Sequence, residues 1–156
     1  MPKYSIASRD NLKTCDSKLQ ELFNEVIKHY DNKIIEGHRP KKKQDRLFLE
    51  GRTKVKWPES KHNSTPAKAC DSVPYPIKWP TGALKWFLSE LKNKDPHKFV
   101  LIDKDVQALF RLYHYGGFVR GVAAALGIDI RWGGDWDNDF DLFDQNFMDL
   151  DHFELT

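Results

Sequence analysis

This chain has few cysteines and no long apolar run. The two absences exclude a disulfide-based fold and a membrane-spanning helix. Only two cysteines, Cys15 and Cys70, occur in 156 residues, and there is no Cys-x-x-Cys pair. Two distant thiols exclude a disulfide framework as the basis of the fold. Cys70 lies in a segment with the pattern of a buried strand, and we interpret it as a small apolar core residue. No apolar run approaches the roughly 20 residues that a membrane-spanning helix needs.

The start of the sequence also lacks the apolar segment of a secretory signal. We therefore expect a protein made in the cytoplasm, which reaches a target outside it only when something else releases it. The length predicts a single domain over residues 1–156. An apolar fraction of 40% and a charged fraction of 31% are ordinary for a globular protein.

Several common catalytic motifs are missing: His-Glu-x-x-His, Gly-x-Ser-x-Gly and a phosphate-binding glycine-rich loop.

The positive and negative charges are nearly balanced in number but unevenly distributed along the chain. Residues 39–56 contain eight Lys or Arg and two acids, whereas residues 135–156 contain eight Asp or Glu and no Lys or Arg. The basic stretch is interpreted as a solvated helix face that could meet an anionic polymer. Acidic groups near a histidine suggest a metal or proton-transfer site.

Apolar spacing and turn residues predict helices mixed with short strands and no regular βαβ repeat. This pattern favours an α+β fold, with helices packed on a small antiparallel sheet. A capping box of Ser17 and Gln20 is expected to begin the first helix, and Gly116-Gly117 is expected to break or kink the longest. The predicted helices cover residues 17–30, 41–50, a segment capped by Thr81 with Leu84, Phe87, Leu88 and Leu91, and 104–126; the predicted strands cover 33–36, 69–73, 128–132 and 152–155.

Two of the six histidines have neighbours that suggest metal chemistry. His62 lies in a polar loop before a predicted strand that carries Asp71, and His152 follows Asp149 by three residues. Two imidazoles and one carboxylate (His62, Asp71 and His152) would make a three-ligand zinc set with a fourth position open for water, which is typical of a catalytic site. From the residue types alone, an unrelated scatter of polar residues is favoured over a metal site.

The same residues lie in segments that resemble the peptidase M15 family, which includes D-Ala-D-Ala carboxypeptidases and phage endolysins that are L-alanyl-D-glutamate peptidases. The resemblance covers nearly the whole chain and is strongest to the phage endolysin branch. Its segments, in family order, are Ile35-Glu-Gly-His-Arg39, Gln44 with Leu47-Phe48 and Gly51, Lys54-Val-Lys-Trp-Pro-Glu-Ser-Lys-His62, Ala69-Cys-Asp71 with Val73-Pro-Tyr-Pro76, Trp132-Gly-Gly-Asp-Trp136, and Asp149-Leu-Asp-His-Phe-Glu-Leu155.

The resemblance implies an α+β zinc peptidase that hydrolyses the L-Ala–D-Glu bond of the peptidoglycan stem peptide. It also implies a compact endolysin without a separate wall-binding module, a monomer made in the host cytoplasm. The implied roles are zinc ligation by His62, Asp71 and His152, acid/base catalysis by Asp149, binding of substrate or developing charge by Arg39, and lining of the site by Ser60 and Gln44. Trp132 and Trp136 are expected to flank the cleft and are candidates for substrate contact, with burial in the core equally open.

This sequence departs from the family pattern at two positions. Ala67 stands where serine is common, and Asp151 stands where proline is common before the last histidine. Neither departure replaces an implied ligand, so both bear on fine positioning rather than on the chemistry.

Other functions remain open from the sequence. A D-Ala-D-Ala carboxypeptidase would use the same zinc set. A nucleic-acid binder could use the basic stretch and stack bases on Trp57, Trp79 and Trp86, and a non-catalytic wall-binding protein could share the fold. Residues 135–141 alternate carboxylates as a calcium loop does, but an EF-hand requires Gly and Glu where Phe140 and Asn146 stand. We interpret this segment as a loop beside the site, with weak calcium binding and an inward-pointing Asp135 both open.

Overall fold

Helices alternate with strands along the chain, and the strands form a small antiparallel sheet. The computed structural model describes residues 2–80, 103–142, 144–145 and 147–156. This architecture confirms the predicted α+β class. The helix predicted after Thr81 lies outside the described residues, as does Trp86. The elements in chain order are α1 (Ile6–Lys13), α2 (Ser17–His29), β1 (Asn32–Glu36), α3 (Lys41–Leu49), a 3₁₀ turn (Lys61–Asn63), β2 (Ala69–Pro74), α4 (Asp103–Leu126), β3 (Ile130–Gly133) and β4 (Asp149–Leu155).

The sheet has the order β1-β2-β4-β3, and all three strand pairs are antiparallel. The last strand of the sequence, β4, therefore lies inside the sheet between β2 and β3. Asp71 of β2 is the register partner of His152 in β4, and Trp132 of β3 is the partner of Phe153. Because neighbouring residues of a strand point to opposite faces, His152 and Phe153 serve different sides of the sheet.

The helix α2 forms because its apolar residues recur at helical spacing and all face the core. Its N-cap differs from the predicted capping box. Asp16 caps the helix, its side chain accepting a hydrogen bond from the Lys18 backbone N–H at 3.0 Å. A carboxylate at this position also interacts favourably with the helix dipole. Ser17 is the first helical residue, and the Gln20 amide donates instead to the Cys15 carbonyl at 2.8 Å.

The longest helix, α4, continues through Gly116 and Gly117, so the predicted break is wrong. The glycine at position 116 serves packing. A Cβ there would lie 2.4 Å from ring atoms of Trp132, whereas nothing lies within 4 Å of a Cβ at Gly117. Trp132 is 2% exposed, and its indole N–H donates to the Leu150 carbonyl at 3.0 Å. The close approach of helix and indole thus depends on Gly116.

The core lies between α2, α4 and the sheet. Both cysteines are buried and free, and the prediction of Cys70 as a core residue is confirmed. Helix α1, which periodicity did not predict, packs against β1. None of the described helices is both long and apolar enough to cross a membrane. The core residues include Leu19, Leu22, Phe23 and Val26 from α2, Leu112, Tyr115, Val119 and Ala123 from α4, and Cys70, Val73, Trp132 and Phe153 from the sheet.

Two alanine substitutions in α4 test the packing of Trp132. We expect Gly116→Ala to destabilise the protein by about 1–3 kcal/mol, because the buried indole cannot make room for a methyl group. Gly117→Ala should stabilise it by up to about 1 kcal/mol, since alanine favours a helix more than glycine does. Denaturant unfolding of both variants measures the difference, and equal stability of the two would contradict this account.

Candidate metal centre and active site

Two histidines and an aspartate converge at one point on the sheet. The Nε2 atom of His62 lies 3.0 Å from Oδ1 of Asp71 and 3.2 Å from Nδ1 of His152. The His152 Nδ1 atom lies 3.1 Å from the same Asp71 oxygen. Three residues far apart in the sequence therefore present one donor atom each to a common position.

The short 3₁₀ turn places His62. The Ser60 hydroxyl accepts a hydrogen bond from the His62 backbone N–H at 3.3 Å and so caps the turn. The His62 side chain is almost completely buried, and its Nδ1 atom lies 2.7 Å from the Gly37 carbonyl oxygen. Because a carbonyl oxygen only accepts, Nδ1 carries the proton and leaves the Nε2 lone pair directed at Asp71 and His152.

The strand register places the other two donors. Asp71 and His152 are opposite each other in neighbouring strands, so their side chains project from the same face. Burial raises the pKa of Asp71, but the charges and hydrogen bonds of His62 and His152 outweigh it and lower that pKa well below its usual range. For His152, burial acts in the opposite direction and lowers the pKa. Hydrogen bonds to Asp71 and Glu154 outweigh this effect and raise the pKa of His152 to about 10. The centre therefore stabilises a positive charge.

Arg39 borders the centre and is held from several sides. Its guanidinium donates to Glu36 Oε2 from Nε at 3.0 Å and from Nη2 at 2.9 Å. Nη2 also lies 3.4 Å from Oδ2 of Asp71, and Nη1 donates to Gln44 Oε1 at 3.3 Å. Gln44 is fully buried and donates in turn to the Val55 carbonyl at 2.7 Å. Gln44 thus supports Arg39 from within the core, and Arg39 contacts the second oxygen of Asp71.

Asp149 lies at the start of β4, opposite Gly133 of β3. Gly133 is required there, because a Cβ would lie 2.3 Å from the Asp149 carbonyl oxygen. Burial, followed by the negative charge of Asp71, raises the pKa of Asp149, whose carboxyl is hydrogen-bonded with that of Asp151. Burial and the charges of Asp71 and Asp149 also raise the pKa of Asp151. Two neighbouring carboxyl groups that resist ionisation are suited to holding and moving a proton.

The two tryptophans expected at the cleft have different positions. Trp132 is a core residue beneath the site, so its side chain is not open to a substrate. Trp136 is half-buried, and its ring centroid lies 5.5 Å from that of His152. It stacks on Phe147 at 6.2 Å and donates from its indole N–H to the Phe147 carbonyl at 2.5 Å. The aromatic surface beside the metal donors therefore belongs to Trp136 and Phe147.

The acidic loop after β3 brings a second set of carboxylates together. Oxygens of Asp135, Asp137 and Asp139 lie within 4.8 Å of one another, and two of these residues are exposed. Asp135 is buried, as an inward orientation requires, and its Oδ2 accepts from Arg120 at 2.7 Å. The basic side chain of Arg120 thus already balances the buried carboxylate.

Residues 39–56, the basic stretch, are extensively paired in the structure. Lys41 contacts Asp45 at 2.5 Å, Lys43 contacts Glu36 at 2.7 Å, and Arg46 contacts Glu50 at 3.7 Å. These pairs reduce the free positive charge of the surface, as the interpretation of a solvated helix face leads us to expect.

Two acidic residues contact the candidate site residues and were not singled out by the sequence. Glu36 pairs with Arg39, and Glu154 contacts His152, with its Oε2 atom 3.0 Å from His152 Nε2. The signal for Glu154 was present, because residues i and i+2 of a strand share a face. The contact of Glu36 with Arg39 could not be predicted in this way, because it depends on how the chain turns after β1, and the sequence pattern does not specify that turn.

The donor set fits a zinc ion with an open coordination position. Imidazole nitrogen and carboxylate oxygen are common zinc ligands, and bonds of about 2.0–2.1 Å in a tetrahedron separate ligand atoms by roughly 3.4 Å. The three separations here, 3.0, 3.1 and 3.2 Å, are slightly shorter. An ion between the three atoms would require them to move apart by a few tenths of an ångström.

Comparison with known proteins gives an independent assignment. The fold and the His/Asp/His centre define an α+β protein with a candidate catalytic metal site. The family model described as phage L-alanyl-D-glutamate peptidase matches residues 1–156, so the chain belongs to that family of peptidases and the predicted relationship is confirmed. No curated protein sequence matches the chain.

A solved structure supports the fold. The chain is similar to the Serratia marcescens L-Ala D-Glu endopeptidase ChiX, with a TM-score of 0.63 and 19% sequence identity. The similarity covers 99% of this chain and 90% of the ChiX chain. At this identity the likeness is evidence for the architecture alone.

The ion pairs of Glu36 predict how stability depends on pH. Burial raises the pKa of Glu36, but hydrogen bonds from Arg39 and Lys43 outweigh it and lower that pKa below the value of the unfolded chain. The stabilisation is therefore present above the unfolded pKa of about 4.3 and is lost as the pH falls through the folded pKa.

We expect Glu36→Gln to lower the free energy of unfolding at pH 7 by roughly 3 kcal/mol, since it leaves Arg39 incompletely paired. The deficit should shrink towards about pH 3, where the wild type also loses the charge. Asp45→Asn removes an exposed pair and serves as control, with an expected cost below about 1 kcal/mol. Denaturant unfolding across this pH range measures the effect; a deficit independent of pH would show that the charge of Glu36 is unimportant.

Proposed function

We propose that this protein is a zinc-dependent endopeptidase of the bacterial cell wall, which hydrolyses the amide bond between L-alanine and D-glutamate in the peptidoglycan stem peptide. The observation that carries the proposal is the convergence of donor atoms from His62, Asp71 and His152 within 3.2 Å of one another. Membership of the phage L-alanyl-D-glutamate peptidase family supports the choice of bond and an endolysin role.

The proposed ligands are His62 through Nε2, Asp71 through Oδ1 and His152 through Nδ1. When bound, zinc would supply Lewis-acid chemistry, lowering the pKa of water to about 7 and polarising the scissile carbonyl. The hydrogen bonds described above orient both imidazoles before metal binds, so little side-chain freedom remains to be lost on binding.

Asp149 is the proposed general base and acid. It would accept a proton from the attacking water and deliver it to the departing amine of the D-glutamate residue. Its burial and the nearby charge of Asp71 raise its pKa, which brings the carboxyl closer to the neutral range where proton transfer in both directions is efficient. The hydrogen bond lowers the pKa of Asp149 and raises that of Asp151, so it favours an ionised Asp149 that accepts from a protonated Asp151.

Arg39 is the proposed source of fixed positive charge beside the reacting carbonyl. Its contacts with Glu36, Gln44 and Asp71 hold the guanidinium in place, so no reorganisation is needed as negative charge develops. Gln44 acts in this proposal by positioning Arg39, and Ser60 by capping the turn that carries His62. Of the two tryptophans expected at the cleft, Trp136 is the proposed substrate contact.

The proposed substrate is the stem peptide within intact peptidoglycan, and the proposed unit is one catalytic domain over residues 1–156 acting as a monomer. Nucleic acid is not a proposed partner, since the family is one of peptidases and Lys41, Lys43 and Arg46 of the basic stretch pair with acidic side chains. The aromatic surface of Trp136 and Phe147 beside His152 would contact the peptide.

The decisive experiment combines zinc content with identification of the products. Purified wild-type protein should contain one zinc ion and convert peptidoglycan into muropeptides that end in L-alanine, together with peptides that begin with D-glutamate. Mass spectrometry of the fragments identifies the bond. Release of free D-alanine instead would assign carboxypeptidase activity, and absence of zinc and of cleavage would contradict the proposal.

Variants at the centre separate metal binding from proton transfer. Asp149→Asn should keep the zinc and lose about 10²–10⁴-fold in kcat, because it removes only the general base. Asp71→Asn should lose zinc, since it removes a charged ligand. Asp10→Asn, the same change at an exposed position on α1, should keep both zinc and activity. Undiminished activity of Asp149→Asn would show that another group transfers the proton.

A further inference from the structure

The second nitrogen of His152 is bound to a carboxylate that has no role in the proposed chemistry. Glu154 Oε2 lies 3.0 Å from His152 Nε2, on the side of the ring away from Asp71 and His62. The two residues are separated by one position in β4, so both project from the face of the sheet that carries Asp71. The contact therefore follows from the strand itself.

Glu154 is in turn held by Arg131 from the neighbouring strand. These two residues are register partners in the β3–β4 pair. The Arg131 guanidinium contacts Oε1 of Glu154 through both Nε, at 3.0 Å, and Nη2. The two oxygens of the carboxylate are thus divided, one accepting from Arg131 and the other from His152. A buried carboxylate with both oxygens bound has little freedom to rotate.

This arrangement determines which nitrogen of His152 is available to a metal. A carboxylate accepts and does not donate, so the proton of the ring stays on Nε2 when Nδ1 is free of one. The Nδ1 lone pair then points to the position shared with His62 Nε2 and Asp71 Oδ1. The two histidines thus present opposite nitrogens, because His62 is fixed through Nδ1 by a neutral carbonyl and His152 through Nε2 by a charged carboxylate.

We propose that Glu154, clamped by Arg131, is a positioning residue that fixes the tautomer and ring orientation of His152 and so strengthens metal binding at the centre. The inference rests on the proposed function in assuming that zinc occupies the centre. Carboxylate partners of metal-bound histidines also make the imidazole a more basic ligand. Arg131 also contacts the aromatic surface, because its guanidinium carbon lies over the Trp136 ring, 5.4 Å from the ring centroid.

The test is the zinc affinity of matched variants, measured by competition with a chelator. Glu154→Gln keeps the shape of the side chain but removes its charge, and it should weaken zinc binding about 10–100-fold. Arg131→Gln leaves Glu154 in place without its clamp and should weaken binding several-fold. Glu50→Gln makes the same charge change in an exposed ion pair at the end of α3 and should leave the affinity unchanged.

Rescue by zinc distinguishes positioning from catalysis. If Glu154 acts through His152, saturating zinc should restore most of the activity of Glu154→Gln, whereas it should not restore that of Asp149→Asn. Thermal unfolding of the metal-free proteins checks that each variant is folded; should Glu154→Gln be unfolded, the affinity of Arg131→Gln decides the question.

The outcomes separate this inference from the proposed function. A wild-type protein that binds no zinc would overturn both. A wild type that binds zinc, with equal affinity in folded Glu154→Gln, would overturn the role of Glu154 alone, and unchanged affinity in Arg131→Gln would overturn the role of the clamp.

Discussion

The alignment of β2 with β4 is the constraint on which the centre depends. Asp71 and His152 meet because they are opposite each other in antiparallel strands. A slip of one residue would turn one of the two side chains to the other face of the sheet and dismantle the donor set. The register is held from the opposite face, where Phe153 packs against Trp132, Phe23 and Tyr115. The hydrophobic core therefore supports the chemistry directly, through the alternation of a single strand.

Charge balance is the second feature that unites the site. Carboxylates outnumber cations around the centre, and burial makes each of them costly unless it is paired. Glu36 is paired by Arg39 and Lys43, and Glu154 by Arg131 and His152. Asp149 and Asp151 hydrogen-bond to each other, and burial together with the charge of Asp71 raises both pKa values, although the charge of His152 lowers that of Asp149. These two carboxyls, which resist ionisation, are the groups of the site suited to proton transfer.

Much of this organisation was predictable from the sequence. Periodicity predicted α2, α3 and α4 within a few residues, and the order of motifs indicated the family. The sequence also singled out the residues that the structure brings together at the centre. Local rules sufficed for the helices because these elements have strong apolar patterns. The residues of the centre were singled out by the resemblance to a peptidase family, since their types and spacing alone were weak evidence.

Other features required the tertiary structure. Gly116 suggested a helix break, but the indole of Trp132, from a distant strand, fills the space beside it. For Trp132 the sequence left substrate contact and burial both open, and its packing against Gly116 in the structure buries it. The pairing of Glu154 with Arg131 depends on strand order, since β3 and β4 are separated by the acidic loop. In each case the decisive partner is far away in the sequence.

The central claim is that His62, Asp71 and His152 together hold a zinc ion, and X-ray absorption at the zinc edge tests it most directly. The account predicts a first shell of nitrogen and oxygen at about 2.0–2.1 Å with the signature of two imidazoles. A sulfur ligand at about 2.3 Å, for which Cys70 beside Asp71 would be the candidate, or a shell with a single imidazole would contradict it.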